Sequence, residues 1–208
     1  MVSSSHGDNK VAWYENTDGQ GDFSNLQNII SNSIEKPRDI FAVDMDGDTD
    51  KDVLFFSYLD STTDEYQLIW IENDGSGNFT QTHIFETTMD DIIQIAYTDI
   101  DGDGDIDVIS GEENSTLILY KNNGDGTFAP RTVFSQPGTS YMLSLQVADV
   151  DGDNDIDVLA SYNNNEIIWH ENTDGLGNLT TKHVIIDNMH YPAAIFAADI
   201  DGDNDNDL

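Results

Sequence analysis

The sequence predicts an all-β fold made of repeats of about 50 residues, each forming a four-stranded antiparallel sheet. Three observations support this prediction. An aspartate-rich stretch of nine residues occurs four times, beginning at positions 44, 99, 149 and 199. A second motif, an aromatic strand followed by a Gly-rich turn, recurs in phase with the first. No helical periodicity of useful length lies between them, and four short strands in a repeat of this length are typical of a β-propeller blade.

The aspartate stretch is the most informative element. Residues 99–107 read Asp-Ile-Asp-Gly-Asp-Gly-Asp-Ile-Asp, which places five aspartates at alternate positions. Packing does not explain this density, because strands are poor in Asp and like charges this close repel. Calcium explains it, since Ca²⁺ takes about six to eight oxygen ligands and a loop with acids at alternate positions wraps around the ion. We therefore predict four calcium loops: loop 1 (44–52), loop 2 (99–107), loop 3 (149–157) and loop 4 (199–207).

Side-chain ligands are expected from loop positions 1, 3, 5 and 9, with a backbone carbonyl from position 7, as in the first part of an EF-hand loop. The predicted metal residues are Asp44, Asp46, Asp48, Asp50 and Asp52 in loop 1; Asp99, Asp101, Asp103, Asp105 and Asp107 in loop 2; Asp149, Asp151, Asp153, Asp155 and Asp157 in loop 3; and Asp199, Asp201, Asp203, Asp205 and Asp207 in loop 4. Position 4 is always glycine, and position 6 holds Thr49, Gly104, Asn154 or Asn204. Gly and Asn tolerate the left-handed conformation of a tight turn, so Thr49 is expected to strain loop 1.

Position 8 is expected to point away from the metal. Ile106 and Ile156 there should anchor loops 2 and 3 in the core, whereas Lys51 and Asn206 leave loops 1 and 4 looser. About four Ca²⁺ ions would bind, and they should contribute to folding because the metal-free acids repel one another. Two alternatives are weaker: solvated acidic turns without metal, and Mg²⁺, which keeps more of its waters.

The second motif sets the order of strands within a repeat. Its copies read Trp13-Tyr14-Glu15-Asn16, Trp70-Ile71-Glu72-Asn73, Tyr120-Lys121-Asn122-Asn123 and Trp169-His170-Glu171-Asn172. The repeat around loop 2 has predicted strands at 92–98, 108–110, 116–120 and 127–134. The longer spacing between loops 1 and 2 is attributed to a polar surface loop at 59–66, which contains Asp60, Asp64 and Glu65.

The repeats predict a division of the chain. Residues 1–9 are expected to be disordered or tag-like, and residues 10–208 to form a single repeat array. Its parts are a half blade at 10–37, blades at 38–90, 91–140 and 141–190, and a half blade at 191–208. Two halves suit a ring closed by strands from both ends, but a piece of a longer array shows the same pattern, and that interpretation is slightly favoured.

Composition limits the partners. The formal charge is −34, from 41 acidic and 7 basic residues, which disfavours nucleic acid and anionic membranes as partners. There is no cysteine for disulfides or thiolate metal sites. No apolar run of about 18 residues predicts a membrane span. Loops of weak or moderate affinity fill at extracellular calcium levels, so we expect a secreted or cell-surface protein whose leader is not in this sequence.

The loop pattern Asp-x-Asp-Gly-Asp-x-Asp-x-Asp, followed by a hydrophobic strand and an Asn-x-Gly-x-Gly-x-Phe turn, resembles the FG-GAP/VCBS repeat family. Integrin α-chain propellers share this repeat. The resemblance covers residues 10–208 and implies a calcium-binding propeller, seven-bladed in its usual members, with calcium between the first two strands of a blade. The Phe-Gly-Gly-Ala-Pro signature is absent from this chain.

These features predict a non-catalytic, extracellular protein-interaction or adhesion scaffold. The alternatives are a lectin-like carbohydrate-binding propeller and an accessory domain of a secreted polysaccharide-degrading enzyme. The aromatics Trp13, Trp70, Tyr120 and Trp169 would stack on sugars in the lectin alternative, although packing between blades is the favoured role. No nucleophile elbow or phosphate-binding glycine loop is present. Self-association through open terminal strands is a further expectation.

Overall fold

The computed structural model describes residues 1–23, 26–60, 62–63, 65–88, 90–136, 138–203 and 205–208. Its regular structure consists of strands, and these residues contain no helix. The strands are β1 (Val2–Ser5), β2 (Lys10–Trp13), β3 (Asn28–Ser31), β4 (Arg38–Val43), β5 (Asp52–Asp60), β6 (Glu65–Asn73), β7 (Phe79–Thr88), β8 (Ile92–Thr98), β9 (Asp107–Glu112), β10 (Leu117–Tyr120), β11 (Thr132–Ser135), β12 (Met142–Ala148), β13 (Asp157–Tyr162), β14 (Ile167–Glu171) and β15 (Thr181–Ile186).

The strands form four antiparallel sheets in which consecutive strands are neighbours. The first sheet has the order β1-β2-β3, and the second, third and fourth sheets comprise β4–β7, β8–β11 and β12–β15. Loop 1 joins β4 to β5, loop 2 joins β8 to β9, and loop 3 joins β12 to β13. The predicted all-β fold of four-stranded antiparallel blades is therefore confirmed in three sheets.

The chain divides into two compact units, residues 1–91 and 92–208. The first unit contains the first and second sheets. The second unit contains the third and fourth sheets and residues 187–208, where the described pairing is one bridge between Ala198 and Asp207.

Two expectations about the first unit were wrong. Residues 1–9 are not disordered, because Val2–Ser5 forms β1 and pairs in register with Lys10–Trp13. Buried Val11 and Ala12 make β2 a central strand, and a central strand requires a partner on each side. The expected loop at 59–66 is mostly a long hairpin, since Tyr58 pairs with Tyr66 and Asp60 with Glu65. Asp64, assigned to that loop, lies outside the described residues.

The second strand of each four-stranded sheet is largely buried. All six residues of β9 and all six of β13 are buried, and so are the first six of β5. Strands covered on both faces have nearly continuous apolar sequences, as here, rather than alternating ones. Each of these strands begins with the aspartate that ends a loop. No helix of the described chain is long and apolar enough to cross a membrane.

Candidate metal sites in the aspartate loops

The aspartate at position 1 organises each loop through main-chain amides. In loop 2, Oδ1 of Asp99 accepts hydrogen bonds from the amides of Gly102 and Asp103, at 2.8 and 3.1 Å. Its Oδ2 accepts from the amide of Gly104 at 3.0 Å. Asp44, Asp149 and Asp199 make the corresponding bonds to the position-4 glycine of their loops. The loop backbone is therefore folded around one carboxylate.

The sharp turn requires left-handed residues at the positions predicted. The position-4 glycines all have positive φ, between 74° and 85°. At position 6, Thr49, Gly104 and Asn154 have φ values of 80°, 97° and 74°. The prediction for position 6 is thus confirmed in loops 1 to 3, with β-branched Thr49 in the least favourable conformation. Asn204, the fourth such residue, lies outside the described residues.

The aspartate at position 9 is buried and joins the loop to the sheet. Asp107 is 0 % exposed; its Oδ2 accepts from the amide of Ile100 at 3.1 Å and its Oδ1 from the amide of Asn122 at 2.8 Å. Asp52 and Asp157 make the same pair of bonds in loops 1 and 3. The position-9 carboxylate therefore connects the start of its loop with the end of the third strand.

Sequence reasoning missed the asparagine that follows the third strand, although it stands in the quoted second motif. Side-chain Nδ2 of Asn172 donates to the carbonyl of Ile156 at 3.2 Å, and its Oδ1 accepts from the amide of Gly177 at 2.9 Å. Asn73 and Asn122 donate in the same way to the carbonyl at position 8 of their loops. The repeated Asn before each Gly-rich turn was the signal that could have identified this role.

The third copy of the second motif was aligned one residue out of place. In the ladders, Leu119 pairs with Ile109 as Trp169 pairs with Leu159 and Trp70 with Leu54. Leu119, not Tyr120, is therefore the counterpart of the tryptophans. The doublet Asn122-Asn123 caused the error, because either asparagine satisfies the motif.

Carboxylate oxygens converge in each loop. One oxygen from each of three aspartates lies within 4.8 Å of the other two in four clusters: Asp44, Asp46 and Asp48; Asp99, Asp101 and Asp107; Asp149, Asp151 and Asp157; Asp199, Asp201 and Asp203. Positions 1 and 3 contribute everywhere. The third member is position 9 in loops 2 and 3 and position 5 in loops 1 and 4. The structure thus brings together some of the predicted ligands in each loop, with two different third members.

The position-7 aspartates face the Gly-rich turn instead. The carboxylates of Asp50, Asp105 and Asp155 occupy the space that a Cβ would need at Gly75, Gly124 and Gly175, respectively. Those glycines have φ values of 75°, 82° and 64°. The position-7 side chains therefore contact the turn after the third strand, and the role assigned to their backbone carbonyls stays a prediction.

The apolar anchor lies at position 2 in loops 1 and 2, whereas in loop 3 Ile156 at position 8 packs against the core of the second unit, as predicted. Met45 and Ile100 at position 2 are 1 % and 2 % exposed. Ile106 and Ile156 at position 8 are half-buried. In loop 4 the position-2 residue, Ile200, is 74 % exposed. The amide of the position-2 residue bonds to the position-9 carboxylate in all four loops, so this bond alone does not determine the burial of the side chain.

The electrostatics of the loops suit a hard cation. Burial raises the pKa of Asp52 and of Asp107 to about 6, and it also raises the pKa of Asp157. Burial, and then the charge of neighbouring carboxylates, raises the pKa of Asp46 and Asp151. A bound dication would offset both costs, and donors that are all carboxylate oxygens match Ca²⁺ or Mg²⁺.

One atom supports this fit directly. Oδ1 of Asp101 is buried and has no hydrogen-bond partner among the described residues. A buried carboxylate oxygen without a partner is costly, so a cation bound in the Asp99–Asp101–Asp107 cluster would satisfy a requirement that the protein alone leaves open.

Blade-like antiparallel sheets with an acidic loop after their first strand define a repeat protein of the β-propeller class. The FG-GAP-like repeat profile matches residues 1–55, 56–110, 99–160 and 151–208. The chain therefore belongs to the FG-GAP-like repeat family, as the sequence predicts. A search of curated protein sequences found no significant match.

Solved structures support the fold. An Agrocybe aegerita lectin, described as specifically recognising non-reducing terminal N-acetylglucosamine, is 22 % identical with a TM-score of 0.62 over 88 % of this chain and 48 % of its own. Saccharomyces cerevisiae Sqt1 is 14 % identical, with a TM-score of 0.56 over 89 % of this chain and 47 % of its own. The chain spans about half the length of these two proteins. At such identities the similarity concerns the fold alone.

Proposed function

We propose that this chain is an extracellular, calcium-binding β-propeller module that acts without catalysis as a protein-interaction or adhesion scaffold. The observation that supports it best is that each aspartate loop contains a cluster of three carboxylates, of which the position-1 and position-3 aspartates are always members. The formal charge of −34 favours cations and cationic surfaces of partners over nucleic acid. Weak or moderate calcium loops fill at extracellular calcium concentrations, which is the reason for the proposed location.

We expect calcium to make the aspartate loops and the strands that flank them more rigid. When bound, it supplies positive charge to the position-1 and position-3 carboxylates and offsets their repulsion. In loops 2 and 3 the cluster includes Asp107 and Asp157, which also accept the amides of Asn122 and Asn172. The ion would therefore fix the first three strands of a blade relative to one another. The turns beside it would then present a fixed surface to a partner.

Thermal unfolding with calcium, magnesium and chelator tests the metal. We expect calcium to raise the melting temperature strongly, magnesium to raise it less, and chelator to reverse the gain, because a ligand that binds the native state stabilises it. Asp151→Asn should reduce the calcium-dependent gain. The matched control is Asp187→Asn, which removes one exposed carboxylate outside the loops. A melting temperature that is the same with calcium and with chelator would rule the proposal out.

A second candidate function, carbohydrate binding, is supported by the environment of Trp13. Trp70 lies under the ring of His83, with centroids 4.0 Å apart and an interplanar angle of 7°, and is 1 % exposed. Trp169 is stacked with His183 at 4.4 Å. Each of these rings therefore has one face covered by a histidine of its own sheet, although Trp169 is half-buried; packing between blades stays a prediction. Trp13 pairs with Asn28 instead of a histidine and is half-buried.

Trp13 also borders a cavity within the first unit. The cavity has a volume of about 370 Å³ and is lined by Trp13, Asn28, Ile29, Asn78 and Phe79 among others. Tryptophan offers an apolar face with an indole N–H, and asparagine amides both donate to and accept from hydroxyl groups. An aromatic wall with a few amides is a suitable lining for a sugar ring. A carbohydrate-binding role would also fit the accessory domain of a secreted polysaccharide-degrading enzyme.

Glycan-array screening of the protein with calcium tests this candidate. N-acetylglucosamine is the first sugar to examine, because the Agrocybe aegerita lectin of similar fold is described as recognising it. Trp13→Ala should abolish any binding, whereas Tyr141→Ala, an exposed aromatic in the second unit, should leave it unchanged. Binding that survives Trp13→Ala would exclude this cavity, and an array without signal would leave the protein-interaction role.

A further inference from the structure

The metal loops differ in the charge placed beside them by the third strand. The residue before the bridging asparagine is Glu72 in the second sheet, Lys121 in the third and Glu171 in the fourth. These three residues hold equivalent ladder positions, each two residues after the one that pairs with Leu54, Ile109 or Leu159. In the third sheet this position lies beside the position-3 aspartate, Asp101. Loop 2 has a cation where loops 1 and 3 have an anion.

The two glutamates are held by histidines of the fourth strand. Oε2 of Glu171 lies 2.7 Å from Nε2 of His183, and Oε2 of Glu72 lies 3.3 Å from Nε2 of His83. Because each histidine is also stacked on a tryptophan, the carboxylates have a defined position near their loops. Their negative charge is therefore a built part of loops 1 and 3 rather than a solvated surface charge.

Lys121 is equally well positioned. Its Nζ lies 3.0 Å from Oδ2 of Asp101, and the two side chains are 32 % and 15 % exposed. The same ammonium donates to the carbonyl of Leu176, in the turn between β14 and β15. Its stem contacts Gly177, where an added Cβ would lie 3.0 Å from Cε. The lysine is thus fixed between loop 2 and the next sheet of the same unit.

We propose that Lys121 sets the calcium affinity of loop 2 below that of loops 1 and 3 by serving as a built-in counter-ion for Asp101. This inference rests on the proposed calcium sites. The number of charges around a loop tunes its calcium affinity over several orders of magnitude. Exchanging a glutamate for a lysine at this position changes the charge beside the ion by two units, which opposes a dication directly.

The two oxygens of Asp101 divide these roles. Oδ2 contacts the ammonium, while Oδ1 is buried and has no partner among the described residues. Asp101 therefore retains one oxygen for the metal, so that Lys121 weakens calcium binding without preventing it. The ammonium also reduces repulsion within the metal-free loop. As calcium rises, loops 1 and 3 fill first, and loop 2 keeps its shape until a higher concentration.

Residue-resolved NMR during a calcium titration distinguishes the loops. The amides of Gly102 and Gly104 report on loop 2, and those of Gly152 and Asn154 report on loop 3. The wild-type midpoint for loop 2 should lie at least about tenfold above that for loop 3. Lys121→Gln should reduce the difference between the calcium midpoints of loops 2 and 3, and Lys121→Glu should make the two midpoints nearly equal. Glu171→Gln should have the opposite effect on loop 3, where it should lower the calcium affinity and raise the midpoint.

Lys182→Glu is the matched control, because it makes the same charge change at an exposed position of β15 and should leave both midpoints unchanged. Equal midpoints for loops 2 and 3 in the wild type, or a loop 2 midpoint that Lys121→Gln and Lys121→Glu shift by less than about twofold, would overturn this inference while leaving the calcium sites intact. Loop amides that never respond to calcium would overturn both the inference and the proposed function.

Discussion

The main-chain amide of Asn122 donates a hydrogen bond to Oδ1 of Asp107 over 2.8 Å. The bond connects the end of a blade's third strand to the last residue of its aspartate loop, and the same bond recurs between Asn172 and Asp157 at 2.8 Å. The candidate metal cluster and the sheet therefore share one buried carboxylate. Changes in the charge or the partners of that carboxylate should appear in the stability of the fold.

Truncating the bridging asparagine should be costly. Asn172 is 0 % exposed, and its Nδ2 donates to the carbonyls of Ile100 and Ile156 at 2.8 and 3.2 Å. Asn172→Ala leaves these buried acceptors with one partner fewer, so we expect a loss of about 2–3 kcal/mol in unfolding free energy. Urea unfolding with calcium measures it. Asn73→Ala, at a more exposed position, should cost less, and an equal or larger cost there would contradict the assigned role.

In the metal-free protein, Asp107 should make a contribution to stability that is lost as pH rises between about 4 and 6. Burial raises the pKa of Asp107 from 3.8 to about 6, so the folded state holds a proton that the unfolded state releases in this interval. The stabilising effect of this proton is complete below the unfolded value and disappears as pH passes the folded value, a change of about 3 kcal/mol. Melting in chelator from pH 4 to 7 measures it. The difference between the wild-type and Asp107→Asn profiles isolates this contribution, because Asp52 and His170 keep their shifted pKa values in both proteins. Identical profiles would contradict the prediction.

His170 should produce the opposite dependence. Burial lowers the pKa of His170 from 6.5 to about 4. Its Nδ1 lies 3.2 Å from the carbonyl of Leu179, and Nε2 has no partner in the described part of the chain, which fits a neutral ring. The contribution of His170 to stability should therefore fall by about 3 kcal/mol as pH decreases from 6.5 to 4, because the unfolded state takes up a proton that the buried neutral ring does not. Between pH 4 and 6 this contribution opposes that of Asp107.

His170→Ile tests this effect. Ile71 occupies the same ladder position in β6, where it pairs with Val53 as His170 pairs with Val158. The variant should lose the acid-induced decrease while folding normally at pH 7.5. A double variant with Asp107→Asn should show the sum of the two changes, since the residues belong to different sheets. If the stability of His170→Ile depends on pH in the same way as that of the wild type, groups other than His170 cause the decrease at acid pH.

Thr49→Asn should stabilise the protein. Thr49 has φ of 80°, and asparagine tolerates this left-handed conformation better than a β-branched residue. The equivalent residue of loop 3, Asn154, has φ of 74°. We expect a gain of about 1 kcal/mol in unfolding free energy in chelator. Thr17→Asn, at an exposed position without positive φ, controls for composition, and a gain of the same size there would remove the conformational explanation.

Self-association through open terminal strands stays an expectation, and it can be tested at the exposed apolar side chains between residues 191 and 208. Phe196 and Ile200 are 69 % and 74 % exposed. Apolar side chains exposed together favour contact with another protein surface or a second copy of the chain. Light scattering after size exclusion should show concentration-dependent association that Phe196→Ser with Ile200→Ser reduces. A monomer at all concentrations would contradict the expectation.

Much of the fold was predictable because the repeat is local. Each blade contains the same three features: alternating acids, a position-4 glycine and an aromatic strand. The structure has them in the predicted order. The strand Val2–Ser5 was not predictable, since Ser3, Ser4 and Ser5 have no apolar pattern and pair only because β2 needs a neighbour. Long-range pairing of this kind depends on tertiary context that a single sequence does not display.

The candidate site was predictable in composition but not in its connections. The sequence names the aspartates, but it does not show which ones converge, since Asp48 and Asp107 occupy different loop positions yet both complete a cluster. The contact between Lys121 and Asp101 was equally hidden, because it joins two motifs twenty residues apart whose relative placement is set by the ladder between β9 and β10.

The contact between the position-7 aspartates and the turn glycines has a consequence for engineering these repeats. Asp155 lies in the space that any side chain at Gly175 would occupy, and Asp50 and Asp105 stand in the same relation to Gly75 and Gly124. The aspartate loop and the Gly-rich turn after the third strand therefore depend on each other and have to be exchanged together. Blades assembled from shuffled halves should therefore require both parts: a smaller residue at position 7 would remove the steric clash with alanine in the turn, but the positive φ of these glycines would still strain that alanine.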